Sequence, residues 1–478
     1  MNKEKIINRR FFIMIMLGLV ILFPTSRGVF CLPEVGEVVS GTAEFQYPDS
    51  ATLKINVSSK AIINYKSFDI KSNESVIVNL PGVNSEILNR VTGSSASQLL
   101  GSLTCNGIFF LVNPNGISVG ENSQINAGGL VLSTRDITDS NFLSSKYIFE
   151  KMSKEQLDML LLNKGQINIT KGGFGVLIAG AVENQGSIVC PVGTIATAAG
   201  DLVRLDIANE GMISIAVDRA TAASVYDYEG KPVTDQIKNT GTIEANGGVV
   251  ILKAEALGGI FEKAINLEGF VRAEKLEGKD GKVVLASSGK IVVNGEVQAS
   301  EIIIGGKEEG RPAQEIIMRT GALIATDSVK AAAERLEIKS FAPLTEVYKP
   351  AGISLISSKV DGDIIKLEGE DFKVTYLKAN NLTLQTDNAV NTVPAVIIQG
   401  NHVRVLAKQF GTIEVPLTIQ ANLTYLNRIN GNIDILESIG LGSTVMLRGP
   451  PDGFGAIIYS KDTDLSLETS KGSILVYK

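Results

Sequence analysis

From residue 52 onward the chain alternates apolar and polar positions over short stretches. Thr52-Leu53-Lys54-Ile55-Asn56-Val57 and Ser75-Val76-Ile77-Val78-Asn79-Leu80 place an apolar residue at every second position, the period of a half-buried strand. Gly- and Asn-rich turns separate such runs through residues 32–140. The period breaks over 141–162. There Ser153-Lys154-Glu155-Gln156 has the form of a capping box ahead of Leu157, Met159, Leu160 and Leu161, which predicts a short surface helix or two leaving the main body.

From residue 163 the pattern repeats. Asn163-Lys164-Gly165-Gln166-Ile167, Asn184-Gln185-Gly186-Ser187-Ile188, Asn209-Glu210-Gly211-Met212-Ile213 and Asn239-Thr240-Gly241-Thr242-Ile243 are copies of one unit. Asn266-Leu267-Glu268-Gly269 is a degraded copy with an extra residue, and Asn294-Gly295 is a remnant. Self-similarity at roughly 20–50 residues marks a solenoid, because one coil cannot bury its apolar face and a stack of coils can. Asn and Gly at one place in each coil suit a tight corner, and stacked Asn side chains can bond along the axis. The expectation is an all-β, right-handed parallel β-helix over 163–339. Beyond 340 the repeat fades while strand-like runs persist at 381–385, 403–406 and 433–436; residues 340–478 are read as divergent coils or a separate β-region.

Composition narrows the function classes. Among 478 residues there is no Trp, one His (His402), 48 Gly and 6% aromatics, which suits stacked strands and turns better than a catalytic globule. A net charge of −6 offers no basic field for nucleic acid. At the N-terminus Lys3, Lys5, Arg9 and Arg10 precede an apolar run at 11–23, broken by Pro24-Thr25-Ser26-Arg27-Gly28. That run is shorter than the ~20 residues of a membrane span and fits a secretory signal, expected to be cleaved between 28 and 32; residues 1–31 are assigned to it. Phe30 before Cys31 argues against lipidation. Cys105 and Cys190 then remain, either bridged or buried as small hydrophobes. With one distant His they do not form a metal site, and no metal or cofactor is expected.

Residues 32–137 resemble the secretion domain of filamentous-haemagglutinin-type exoproteins. Leu32-Pro33-Glu34-Val35-Gly36-Glu37-Val38-Val39 is similar to that family's opening strand, and Ile63-Asn64-Tyr65-Lys66-Ser67-Phe68 to its Asn-Trp-x-Ser-Phe block, with Tyr65 in place of Trp. Leu88-Asn89-Arg90-Val91-Thr92-Gly93, Phe109-Phe110-Leu111-Val112-Asn113-Pro114-Asn115-Gly116-Ile117 and Ile125-Asn126-Ala127-Gly128-Gly129-Leu130 follow in the family's order. The resemblance implies two-partner secretion. In that route a chain with a cleavable signal is recognised through this domain by an outer-membrane β-barrel transporter with periplasmic docking domains. It then threads outward and folds coil by coil, to be secreted or displayed on the surface of a bacterium with an outer membrane. The mature protein is then expected to be an adhesin or haemagglutinin-like binding protein for a host or environmental glycan or protein, and not an enzyme. Candidate recognition residues are Asn64, Phe68, Asn89, Arg90, Asn113, Pro114, Asn115, Gly116 and Ile117. The pentapeptide also has a purely local reading as a tight corner, with Pro114 opening the turn and Asn115-Gly116 tolerating positive φ. Asn89-Arg90 is the more plausible polar contact.

The alternative is a secreted polysaccharide-active β-helix enzyme, which needs paired carboxylates or acid-held Ca²⁺. The acids Asp361 and Asp363, Glu368, Glu370 and Asp371, and Asp462 and Asp464 sit among polar residues and read as solvated turns, as does His402 beside Gly400-Asn401. Lys307-Glu308-Glu309-Gly310 with Arg311-Pro312 reads as a charged loop. A self-translocating autotransporter needs a membrane barrel ending in an aromatic residue, which a chain ending Tyr477-Lys478 does not supply.

Overall fold

The alternating stretches become strands that stack in parallel, coil upon coil. This computed structural model describes residues 32–153, 157–208, 213–305 and 313–319 continuously, and beyond them the strands from Leu323–Lys339 to Ile474–Tyr477. The expected signal at 1–31 and the charged loop at 306–312 lie outside the described residues.

Three parallel ladders run along the stack. The first begins Thr52–Val57, Ser75–Asn79, Ser102–Val112, Gln124–Ser133, Gln166–Ala179. The second begins with Ala61–Ser67 and Glu86–Val91, then takes the far halves of those same long strands, which bend at a register shift between Ala127 and Gly129. The third carries Ser97–Leu99, Ile117–Val119, Leu161–Asn163, Val182–Asn184, Asp235–Asn239 and Lys263–Leu267. The chain is a parallel β-helix, as its repeat requires. Parallel pairing continues from Leu323–Lys339 through Ser358–Gly369, Leu377–Thr386, Ile397–Ala407 and Leu417–Arg428.

The core is a column of matched side chains. Leu53, Val76, Leu103, Ile125, Ile167, Ile188, Ile243, Val271 and Val297 occupy one inward position in successive coils, all buried. At the N-terminal end Glu34–Ser40 and Ala43–Asp49 pair antiparallel with Ala61–Ser67 and Thr52–Val57. Leu32, Val35, Ala43 and Phe45 pack there against the first rungs.

The repeat's Asn residues do stack. Asn163 Nδ2 donates to Asn184 Oδ1 at 2.7 Å, and Asn184 Nδ2 to Asn239 Oδ1 at 2.7 Å. The degraded copy puts Leu267 opposite Asn239 and ends the ladder. Beside the Asn column runs a Gly column in which backbones touch; a Cβ on Gly241 would lie 2.1 Å from the Gly186 carbonyl oxygen.

Three expectations are corrected. The copy at 209 is not a coil, because Val182–Asn184 pairs directly with Asp235–Asn239. Residues 209–212 lie outside the described residues, and the strands flanking them, Leu202–Ile207 and Ile213–Arg219, form an antiparallel pair. Of the helix expected after Ser153, residues 154–156 lie outside the described residues, and the rest of it is strand: Asp158–Met159 and Leu161–Asn163 are drawn out by pairing to Val225–Tyr226 and Val182–Asn184. A five-residue helix occurs earlier, at Asp139–Leu143, capped by Thr138. Finally, His402, Asp361, Asp363 and Glu368 belong to strands, Ile397–Ala407 and Ser358–Gly369, not turns, because each continues a parallel ladder.

Two coils thus carry insertions, one between 133 and 161, the other between 199 and 235. They meet as a side sheet of Tyr147–Glu150, Leu202–Ile207 and Ile213–Arg219. This sheet covers an outward apolar face of the helix, with Leu88, Phe110, Val131 and Val176 against Phe149, Val203 and Leu205 in a second core. Phe110 stacks on Tyr147 at 5.4 Å and meets Phe142 edge-on at 5.4 Å.

Candidate functional site

The residues singled out by sequence converge on one region, the junction of the first coils with the first insertion, where Phe68, Asn89, Asn113, Gly116 and Ile117 are buried and Asn64, Arg90, Pro114 and Asn115 partly so. Phe68 is 1% exposed and packs edge-on against Tyr65 at 5.0 Å. Asn89 is fully buried and donates from Nδ2 to the Phe110 carbonyl at 3.0 Å, leaving its Oδ1 unpartnered. Asn113 is equally buried; its Nδ2 donates to the Ser95 carbonyl at 3.0 Å and to Ser97 Oγ at 2.9 Å. Its Oδ1 accepts from the Asn115 amide at 3.0 Å, and Asn115 Nδ2 donates to the Gly93 carbonyl at 2.8 Å.

The pentapeptide is therefore a corner fastened on both sides. Gly116 N donates to the Asn113 carbonyl at 3.1 Å, closing the turn. Gly116 has φ 112 and a Cβ there would lie 2.9 Å from the Tyr228 hydroxyl. Pro114 and Asn115 stay half-buried, and Ile117 re-enters the core.

Arg90 has a different task. Nε donates to Asp136 Oδ1 at 2.9 Å, NH1 to Asp139 Oδ1 at 2.7 Å, and NH2 to the Ile137 carbonyl. NH1 also reaches Asn64 Oδ1 at 3.4 Å. Burial opposes its charge, but Asp136 and Asp139 outweigh this and hold the guanidinium pKa above its ordinary value. Asn64 and Arg90 are brought together; they tie the second ladder to the insertion.

Sequence reading missed two further clasps. Arg135, buried, makes a bidentate pair with Asp158 at 2.8 and 2.7 Å, reaches Asp201 at 3.1 Å and donates from Nε to the Gly200 carbonyl at 2.8 Å. Lys151 adds a second cation on Asp158 at 3.2 Å. This cluster joins both insertions to the helix. Lys60 donates to Glu86 at 2.7 Å, Ser145 Oγ at 2.9 Å and the Phe142 carbonyl at 3.2 Å, while Tyr147 donates its hydroxyl to Glu86 at 2.7 Å. The one sequence signal for the larger cluster was Arg135-Asp136 directly after a long apolar strand, where a charge needs a partner.

Cys105 and Cys190 are free and buried, and burial pushes their thiols up to about 11 and about 12. Among the described residues no group of His, Cys, Asp or Glu is arranged to hold a metal ion.

A family model described as the TPS secretion domain matches residues 43–299, more than half of the chain. A heme/hemopexin-binding protein of Haemophilus influenzae is 27% identical over 345 residues, which is 66% of this chain and 35% of that protein. A protein of the same description from another strain of that species is 27% identical over 317 residues, 62% of this chain and 32% of its own. The chain spans about a third of the length of these curated relatives. Among solved structures, the HMW1 secretion domain from Haemophilus influenzae is 21% identical with a TM-score of 0.50, covering 93% of this chain and 100% of that one. That likeness is one of fold.

Proposed function

The chain belongs to the TPS secretion domain family, and from that premise we propose that it is a non-enzymatic exoprotein exported through an outer-membrane partner transporter. We propose further that the transporter reads the chain before its coils close. The observation that carries this reading is burial: Phe68, Asn89, Asn113 and Ile117 are at most 1% exposed in the folded chain. A partner meeting the folded domain touches almost none of them.

In the extended chain those side chains are open, and segments such as 52–57 and 75–79 have both backbone edges unpaired. That is the form in which a docking domain adds a strand. The recognition residues Asn64, Phe68, Asn89, Arg90 and 113–117 then have two successive roles. In the periplasm they are contacts; outside the cell they fasten the first coils, and each finished coil offers the edge on which the next one pairs.

The mature protein is proposed to act as a surface or released binding protein. The heme or hemopexin binding in the names of the relatives belongs to proteins about three times as long. Glu86, the acid lining a cleft of about 630 Å³ beside the side sheet, is engaged by Lys60 and Tyr147, which supports binding over acid–base catalysis.

The test measures binding of the transporter's isolated periplasmic domains to the chain in two states. One is freshly diluted from denaturant, the other locked by an engineered disulfide between neighbouring coils. The expected result is at least tenfold tighter binding to the unlocked chain, weakened by Phe68→Ala and Asn115→Ala, with export of the locked chain abolished. Equal binding to both states, unaffected by these substitutions, overturns the reading.

A further inference from the structure

A cleft of about 630 Å³ lies between the helix and the edge of the side sheet. Its floor crosses four successive coils: Val83 and Asn84 before Glu86–Val91, then Ile108, Gly128, and finally Thr170 to Phe174. Its roof is Ser145, Tyr147, Ile207 and Ala208. We propose that this cleft binds a neutral oligosaccharide laid along the stacking axis. The inference rests on the reading of the mature chain as a binding protein and names its ligand class.

Four observations support it. The volume is within the range of small-molecule sites, roughly 300–1,000 Å³. The walls alternate apolar patches with hydroxyl and amide groups: Val83, 71% exposed, and Ile207 stand beside Asn84, Ser145 and Thr170. A sugar presents the same alternation, with C–H faces and hydroxyl edges. Charges at the cleft are already neutralised within the protein, Glu86 by Lys60 at 2.7 Å and Lys171 by Glu277. An ionic ligand must compete with these pairs for a counter-charge, whereas a neutral one leaves them in place.

The fourth observation is periodicity. Coils stack at about 4.8 Å, close to the length of one pyranose ring along an extended glycan, so successive rings fall on successive rungs. At the far end a Cβ on Gly172 would have nothing within 4 Å, leaving the exit open. Glu86, Lys60 and Tyr147 make the near end rigid.

The secreted chain is titrated with cellotetraose and with chitotetraose, followed by amide chemical shifts, with a sulfated heparin tetrasaccharide as the charged comparison. Saturable binding of a neutral tetrasaccharide is expected, weakened at least tenfold by Val83→Arg and by Ile207→Arg. Both variants are first checked for unchanged circular dichroism and unchanged export. The inference is overturned if neither neutral saccharide saturates, if only the sulfated one binds, or if both variants bind as the parent does. Normal export in any of these cases leaves the transport reading standing, whereas lost export of the parent chain counts against that reading and not against the cleft.

Discussion

The first coils, 52–137, and the repeat coils, 163–300, bury the same kind of aliphatic column yet are held shut differently. In the repeat coils one solution recurs: an Asn bonded to the next Asn, and a Gly that lets backbones touch. In the first coils each corner has its own fastening, with Asn113 on Ser95 and Ser97, Arg90 on Asp136 and Asp139, and Lys60 on Glu86 and Ser145. Those fastenings reach forward along the chain, from residue 60 to 145 and from 135 to 201. A repeat coil is complete once its neighbour forms. The first coils are complete only when both insertions have arrived, which suits a segment that must stay readable before it closes.

The sharpest way to break this contrast is Arg135→Met, which leaves Asp158 and Asp201 buried without their main cation. A loss of about 3–5 kcal/mol is expected in denaturant unfolding, together with release of the side sheet detected as protease cleavage near residue 205. Gly241→Ala comes next, because its Cβ must displace the Gly186 carbonyl; about 2–3 kcal/mol is expected, with damage confined to neighbouring coils in hydrogen exchange. Asn184→Ala removes the middle of the ladder, taking from Asn163 Nδ2 its 2.7 Å acceptor and from Asn239 Oδ1 its 2.7 Å donor, for about 1–3 kcal/mol. A loss as large as that of Arg135→Met would erase the distinction between local and long-range fastening.

Tyr65→Phe has the opposite sign. The Tyr65 hydroxyl is buried without a partner, and its pKa is raised by that burial. Removing it is expected to stabilise the first coils by about 1 kcal/mol, read as a rise in Tm. The smallest effect at neutral pH belongs to the thiols. Their folded pKa values, about 11 and about 12, exceed the ordinary 9.0. The benefit of burying neutral thiols is therefore intact below pH 9 and lost as pH rises through 11 to 12. Neither Cys105 nor Cys190 is expected to label with a thiol reagent at pH 8 until the chain unfolds.

Much of this was legible in the residues. Period-two runs such as 52–57 gave the strands, and the Asn-x-Gly-x-Ile copies gave both the coil and its bonded Asn column. The turn chemistry of 113–117 predicted a corner, and a corner is what forms. The copy at 209 misled because local turn chemistry does not report the direction of the following strand, and the strands on either side of it, Leu202–Ile207 and Ile213–Arg219, run antiparallel. The helix expected after Ser153 failed for a related reason. Leu160 and Leu161 fit either period in isolation, and strand partners more than twenty residues away settled the matter.

The candidate residues lie together in the fold, but the sequence did not report their orientation. Asn89 and Arg90 read as a polar surface pair, whereas Asn89 bonds inward and Arg90 turns to two aspartates some 45–50 residues downstream. Arg135 and Lys60 gave almost no signal, since an isolated charge in a sequence is indistinguishable from a solvated one.

The sequence alone determined what repeats: side-chain period, corner chemistry and the aliphatic column, all of which depend on residues near one another or one coil apart. The tertiary structure decided what occurs once. Two insertions meeting in a side sheet, charges finding partners from different coils and the cleft beneath them all depend on distances between remote segments. Those distances exist only after the coils have stacked.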